Sequence, residues 1–206
     1  MAVRLTVHPE NPQGRHIKRA AQALKDGGVI IYPTDTVYGL GCDITNKKAV
    51  EKIIQIKGRD AKKPMSFVCS DLTHISRYAM VSNFGYRMLK RFLPGGYTFI
   101  LEASREVPKM LLTKQKTVGI RIPDHPVALD LVSQLGNPVL STSANLAGMD
   151  PMGNPDEIDR VMGSRVDVIL DCGVMKIVPS TVVSLVGDKV EVLREGAGTS
   201  EYFSEY

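Results

Sequence analysis

Short runs of β-branched and aromatic residues alternate with segments of helical periodicity along nearly the whole chain, and this alternation restricts the fold more than any other feature. Asn11-Pro12 opens a helical pattern in which Ile17, Ala20, Ala21 and Leu24 recur at three and four, and Gly27-Gly28 ends it. Residues 29–32 form a β-rich run that stops at Pro33. Asn46 is placed to cap a helix carrying Ala49, Val50, Ile53 and Ile54. Residues 66–69 and 97–101 read as strands. Between them, Ser82 caps a helix through Leu89 and Phe92 that Pro94-Gly95-Gly96 breaks. In the second half, residues 117–122, 139–140 and 166–170 read as strands, and Pro126 begins a helix through Ala128, Leu131, Val132 and Leu135. A closing hairpin is expected from 181–186 and 189–193, joined at Gly187-Asp188. Strands separated by helices argue for an α/β fold, and the hairpin makes the sheet mixed. In 206 residues without an internal repeat or long linker, a single domain over 1–206 is the expected organisation.

Composition narrows the function classes. Hydrophobic residues at 43% and charged residues at 23% exclude disordered and fibrous chains. A formal charge of +4 suits an anionic ligand, yet charge alone falls short of a nucleic-acid footprint. Cys42, Cys69 and Cys172 are isolated, as expected of reduced thiols. His8, His16, His74 and His125 lack metal-ligand spacing, and neither a Ser-His-Asp order nor a catalytic pair of acids stands out. No apolar segment follows the N-terminal residues as a signal peptide would require, and no apolar run approaches the ~18 residues of a membrane span. A cytoplasmic protein with no membrane partner is expected.

Neither GxxxxGK[ST] nor GxGxxG after a strand is present, so an anion site here needs cations and hydroxyls gathered from several segments. Lys57-Gly58-Arg59, followed by Lys62 and Lys63, ends a helical pattern. It is either a solvated basic helix end, which suits the helix dipole, or a ligand site in which Gly58 lets the chain leave the helix. Tyr32-Pro33-Thr34-Asp35-Thr36-Val37-Tyr38-Gly39-Leu40-Gly41 runs from a strand into a polar turn. Its threonines and Asp35 bond either their own backbone or a ligand beyond the strand end. Ser141-Thr142-Ser143-Ala144-Asn145 poses the same choice between a capped turn and a site. Thr117 and Arg121 share one face of a strand, and Arg121 among Val118, Ile120 and Ile122 must meet solvent or an anion. Arg194 poses the same question.

In combination these segments resemble the YrdC/YciO-type threonylcarbamoyl-AMP synthase family. The blocks are GGVIIYPTDTVYGLGCD, KGR followed by KPMS, LPGGYTFIL, TVGIRIPDHP, PVLSTSAN, PSTVV and LREG, and the likeness spans about residues 12–198. The family's KxR and SxN elements correspond to Lys57/Arg59 and Ser143/Asn145. The resemblance implies a twisted open sheet flanked by helices around a basic cavity. It also implies a nucleotidyltransferase that makes threonylcarbamoyl-AMP and pyrophosphate from L-threonine, bicarbonate and ATP. The product serves the threonylcarbamoyladenosine modification of transfer RNA.

By the same resemblance, Lys57, Arg59, Lys63, Thr117, Ser143, Asn145 and Arg194 bind ATP, with the KGR and SAN segments as opposite walls of one pocket. Thr36, Arg121, Ser141 and Ser180 bind threonine. Magnesium arrives with ATP, and no side-chain nucleophile is required. Threonylcarbamoyl transferase proteins would act downstream. Where the family often carries a polar residue this chain has Lys63, and Phe67-Val68-Cys69 stands where it often has a histidine. The opening HPENPQGRHIKRA resembles the YciO-like branch, and no additional C-terminal domain is expected after Leu193-Arg194-Glu195-Gly196. Two other readings stand beside the synthase. One is an RNA-binding factor in translation or ribosome maturation that holds double-stranded RNA or tRNA in the same cavity. The other is a related carbamoyl transfer to a different acceptor.

Overall fold

Helix starts in this protein follow the caps that the sequence supplies. In a computed structural model describing residues 1–58 and 65–204, the chain begins with β1 (Val3–Thr6), α1 (Gly14–Lys25), β2 (Ile30–Tyr32) and β3 (Gly39–Asp43). Then come α2 (Lys47–Lys57), β4 (Ser66–Val68), α3 (Leu72–Tyr78), β5 (Ala79–Met80), α4 (Asn83–Phe92) and β6 (Tyr97–Ala103). The second half supplies β7 (Thr117–Arg121), α5 (Pro126–Leu135), β8 (Val139–Ser143) and α6 (Pro155–Met162). It closes with β9 (Val168–Asp171), β10 (Thr181–Ser184) and β11 (Glu191–Arg194). Asn46, Ser82 and Asn154 each accept a first-turn amide, from Ala49, Gly85 and Asp156 respectively. Proline opens α5 and α6, where its missing N–H costs nothing. Gly58 ends α2 in the left-handed region at φ 54°, as the sequence suggests.

The fold is a single-domain α/β structure with one mixed sheet. Its strands run β1-β9-β2-β3-β8-β4-β7-β6-β10-β11, with β5 paired to β6. Parallel pairs (β1/β9, β2/β9, β4/β7, β6/β10) and antiparallel pairs are interleaved. The closing hairpin forms as expected but shorter, since residues 186–188 make a tight turn with positive φ at Gly187 and Asp188. Strand β3 is the main departure, because the glycine-rich stretch after Tyr38 read as loop and is fully buried strand.

Alternation along each strand sorts side chains onto two faces. One face carries Ile31, Leu40, Phe67, Phe99, Ile120 and Leu140 into the core beneath α2, α3, α4 and α6. The other face carries Ile30, Tyr32, Val139, Val168 and Leu170 against α1 and α5, whose Ile17, Leu24, Leu131 and Val132 are completely or almost completely buried. The Tyr32 ring on this second face lies across β3, and this explains the glycines there. A Cβ at Gly41 would stand 2.5 Å from Val139 Cγ1 and 2.9 Å from Tyr32 Cε1. Neither neighbour can swing aside, because both are fully buried and valine is stiff at χ1. Gly41→Ala is therefore expected to destabilise the fold by about 1–3 kcal/mol, measured by denaturant unfolding. Wild-type stability in that variant would mean the ring and valine move freely.

Candidate functional site

Helices α1 and α5 cover only part of the second face. Beyond the ends of β8 and β4 that they cover, the sheet is open over β7, β6 and β10, and a cavity of about 330 Å³ lies there, lined by hydroxyl residues and Gly119 together with the aliphatic Val68, Ile100 and Val182. Register sets its floor. Ser66 lies opposite both Ser141 and Gly119, Gly119 opposite Ile100, and Val68 opposite Arg121. Val182 pairs with Thr98 on one side and Arg194 on the other. The turn after β2 brings Thr34, Thr36 and Val37 to one wall, and Pro179 and Ser180 form another.

Two guanidinium groups belong to this floor, Arg121 on its middle strand β7 and Arg194 on β11 just beyond β10. Arg121, only 7% exposed, pairs with the Asp35 carboxylate. Burial pulls its pKa down and the Asp35 charge opposes that. The Arg121 Nε–H is buried without an acceptor among the described residues. Arg194 is exposed, and it donates to the Ser180 carbonyl from Nε at 3.1 Å and from a terminal nitrogen at 2.7 Å. Ser180 Oγ sits 2.8 Å from Thr98 Oγ1. In the turn, Thr34 Oγ1 donates to the Val37 carbonyl and accepts the Thr36 and Val37 amides, so this threonine does serve its own backbone. Asp35 does not, since it reaches across to Arg121.

All four residues assigned to threonine, namely Thr36, Arg121, Ser141 and Ser180, line the cavity. Of the ATP set, Ser143 and Arg194 line it. Lys57 and Asn145 are placed otherwise. Lys57 is 1% exposed, and its Nζ donates to the Ser143 carbonyl at 2.9 Å, the Asn145 carbonyl at 2.7 Å and Asn145 Oδ1 at 2.8 Å. The lysine and the serine cluster are thus bonded to each other, and do not face one another across a gap. Asn145 also accepts from Ser143 Oγ at 2.6 Å and donates to the Leu146 and Met149 carbonyls. Thr117 shares the Arg121 face at the far end of β7, its hydroxyl 2.9 Å from Thr113 Oγ1. Arg59 and Lys63 lie outside the described residues.

Thr34, already a candidate from the turn, lines the cavity as well, and so do Ser66 and Thr98, which were missed from sequence. Thr98 had a readable signal, a polar residue inside the apolar run Tyr97–Leu101 on the face that must meet something other than core. Among the described residues, no group of three or more His, Cys, Asp and Glu could hold a metal ion, and no helix is long and apolar enough to cross a membrane.

The family model for Sua5, YciO and YrdC proteins, described as "Telomere recombination", matches residues 22–196. The chain belongs to the Sua5/YciO/YrdC family. Within this family it is similar to the uncharacterized protein YciO of Escherichia coli. The crystal structure of that protein superposes with a TM-score of 0.93 at 41% identity, covering 98% of this chain and all (100%) of YciO. The threonylcarbamoyl-AMP synthase of Nitrosococcus oceani is 37% identical over 155 residues, which is 75% of this chain and 84% of the synthase. Sua5 of P. abyssi, solved in complex with L-threonine, superposes with a TM-score of 0.89 at 29% identity. That match takes in 95% of this chain and 58% of Sua5.

Proposed function

We propose that this family member is an L-threonylcarbamoyladenylate synthase, joining L-threonine, bicarbonate and ATP into threonylcarbamoyl-AMP with release of pyrophosphate. The observation carrying this reading is the open, hydroxyl-rich sheet face with a buried guanidinium on its middle strand and an exposed one just beyond β10. The L-threonine complex of Sua5 and the named activity of the Nitrosococcus relative support it.

In this reading the threonine carboxylate meets Arg121, and Thr36, Ser141 and Ser180 hold its remaining polar groups. The amine takes up the carbon of bicarbonate as a carbamate, with loss of water. A carbamate oxygen then attacks the α-phosphorus of ATP, taken with its magnesium, and pyrophosphate leaves. The two reactants are both anions, so the protein's contribution is positioning and charge stabilisation, and no side-chain nucleophile is needed. Ser143 and Arg194 serve the nucleotide, with Arg59 and Lys63 assigned there by family likeness. Lys57 and Asn145 hold the Ser143 segment in place, and Thr117 lies at the outer end of the nucleotide side. The product would pass to threonylcarbamoyl transferase proteins acting on transfer RNA.

The test is an assay of the purified protein with ATP, bicarbonate and labelled L-threonine. Pyrophosphate release that requires both threonine and bicarbonate, with threonylcarbamoyl-AMP appearing in step, is the expected result. Release indifferent to threonine would point to carbamoyl transfer onto another acceptor. No release, together with RNA binding that weakens steeply with salt, would replace the enzyme by an RNA-binding factor.

A further inference from the structure

Tyr32 reaches the edge of the cavity in a way that packing alone does not require. Its side chain is wholly buried beside α1 and α5, yet the ring crosses β3 so that its hydroxyl donates to Ser141 Oγ at 2.7 Å. Gly39 makes the crossing possible, since a Cβ there would lie 3.0 Å from both Tyr32 Cε1 and Ser141 Oγ. A phenylalanine would fill the same space. The hydroxyl therefore needs a separate explanation, and Ser141 is where it acts.

A serine hydroxyl has one proton and two acceptor positions. Tyr32 occupies one acceptor position, which leaves the Ser141 proton for the cavity that Ser141 lines. We propose that Tyr32 is a positioning residue that turns the Ser141 O–H into the cavity, making Ser141 an obligatory donor to an anionic oxygen of the substrate. Burial pushes the Tyr32 pKa up to about 12, so the phenol keeps its proton and remains a donor throughout the neutral range. Arg121, two strands from Ser141, lines the same cavity and adds positive charge to it. In the synthase reading, on which this substrate assignment rests, the anionic oxygen belongs to the amino-acid carboxylate.

Tyr32→Phe removes the donor and keeps the ring. Two measurements test the proposal, and the first needs no substrate. In the ligand-free protein, the Hβ–Cβ–Oγ–H couplings of Ser141, which report rotation about Cβ–Oγ, should show a single hydroxyl rotamer in the parent and averaging in Tyr32→Phe. An unchanged single rotamer overturns the inference whatever the substrate is. The second compares steady-state kinetics. The KM for L-threonine should rise about five- to twentyfold in Tyr32→Phe, while the KM for ATP stays within about twofold. Ser141→Ala and the double variant should match each other, since Tyr32 acts only through Ser141. Equal rises in both KM values, or additive losses in the double variant, would make Tyr32 merely structural. A parent with no threonine-dependent turnover would defeat the synthase reading and leave the rotamer measurement to decide on Tyr32.

Discussion

Arg121→Met is expected to lower threonine-dependent turnover at least about 100-fold and to cost roughly 3–5 kcal/mol of stability. Both losses come from one fact: Arg121 and Asp35 form a buried ion pair at the cavity wall. Removing the guanidinium leaves the Asp35 carboxylate in a poorly solvated site without its partner, which is the costly way to break such a pair. In a protein of this size the loss corresponds to a melting temperature lower by about 10 °C. The two effects separate in a second variant. Arg121→Met combined with Asp35→Leu removes both charges, and replacing a buried pair by apolar side chains is often neutral. The double variant should therefore regain most of the stability and none of the turnover. Thermal melts beside the pyrophosphate assay read both quantities. Turnover returning with stability would remove Arg121 from the substrate site and leave it a structural ion.

Lys57→Met is expected to have the second largest effect, acting first on the fold and through it on the nucleotide side. The lysine ammonium donates to oxygens of Ser143 and Asn145 from a fully buried position. Methionine keeps much of the stem and leaves those oxygens short of a charged donor, at a cost of about 2–4 kcal/mol. The segment after β8 should loosen, seen as faster amide hydrogen exchange at Ala144 and Asn145. If Ser143 faces the nucleotide as proposed, ATP affinity should fall by about tenfold or more. Lys57→Arg should fail to rescue either property, because a planar guanidinium cannot direct its donors to three oxygens gathered around one nitrogen. Unchanged exchange alongside weakened ATP binding would put the lysine on the nucleotide itself.

The sequence made the strand and helix alternation legible because each element carries its own local signal. Ser82, Asn46 and the Gly187-Asp188 turn lie where capping and turn chemistry require them. What escaped was set by distant partners. Strand β3 is rich in glycine, which depresses any strand signal, and the reason for glycine is the Tyr32 ring from the neighbouring strand. Lys57 looked like a solvated helix end because a buried ammonium is rare and its acceptors come from residues 143 and 145. Arg121 was read as meeting either solvent or an anion, and the choice of Asp35 as its partner depends on where the turn after β2 lies relative to β7. Helix α6 did carry a readable start in Asn154-Pro155 that went unused.

The order of strands in the sheet has a consequence for how the chain is made. Strand β9 sits between β1 and β2, and β8 sits between β3 and β4. During synthesis the first four strands emerge long before the two that complete their pairings. Until residues 139–143 and 168–171 leave the ribosome, β1, β2, β3 and β4 each present at least one open backbone edge. Closing the sheet therefore waits on contacts between distant parts of the chain, the arrangement that folds slowly and leaves unpaired edges exposed meanwhile. The cavity floor forms from the middle outwards: β4, β6 and β7 are all made by residue 121 and pair with one another, whereas its two sides wait for β8 at 139–143 and β10 at 181–184. A nascent chain therefore carries only the middle of a binding face until residue 184 has been translated, and the strand bearing Ser141 and the segment bearing Ser180 complete it in two separate late steps.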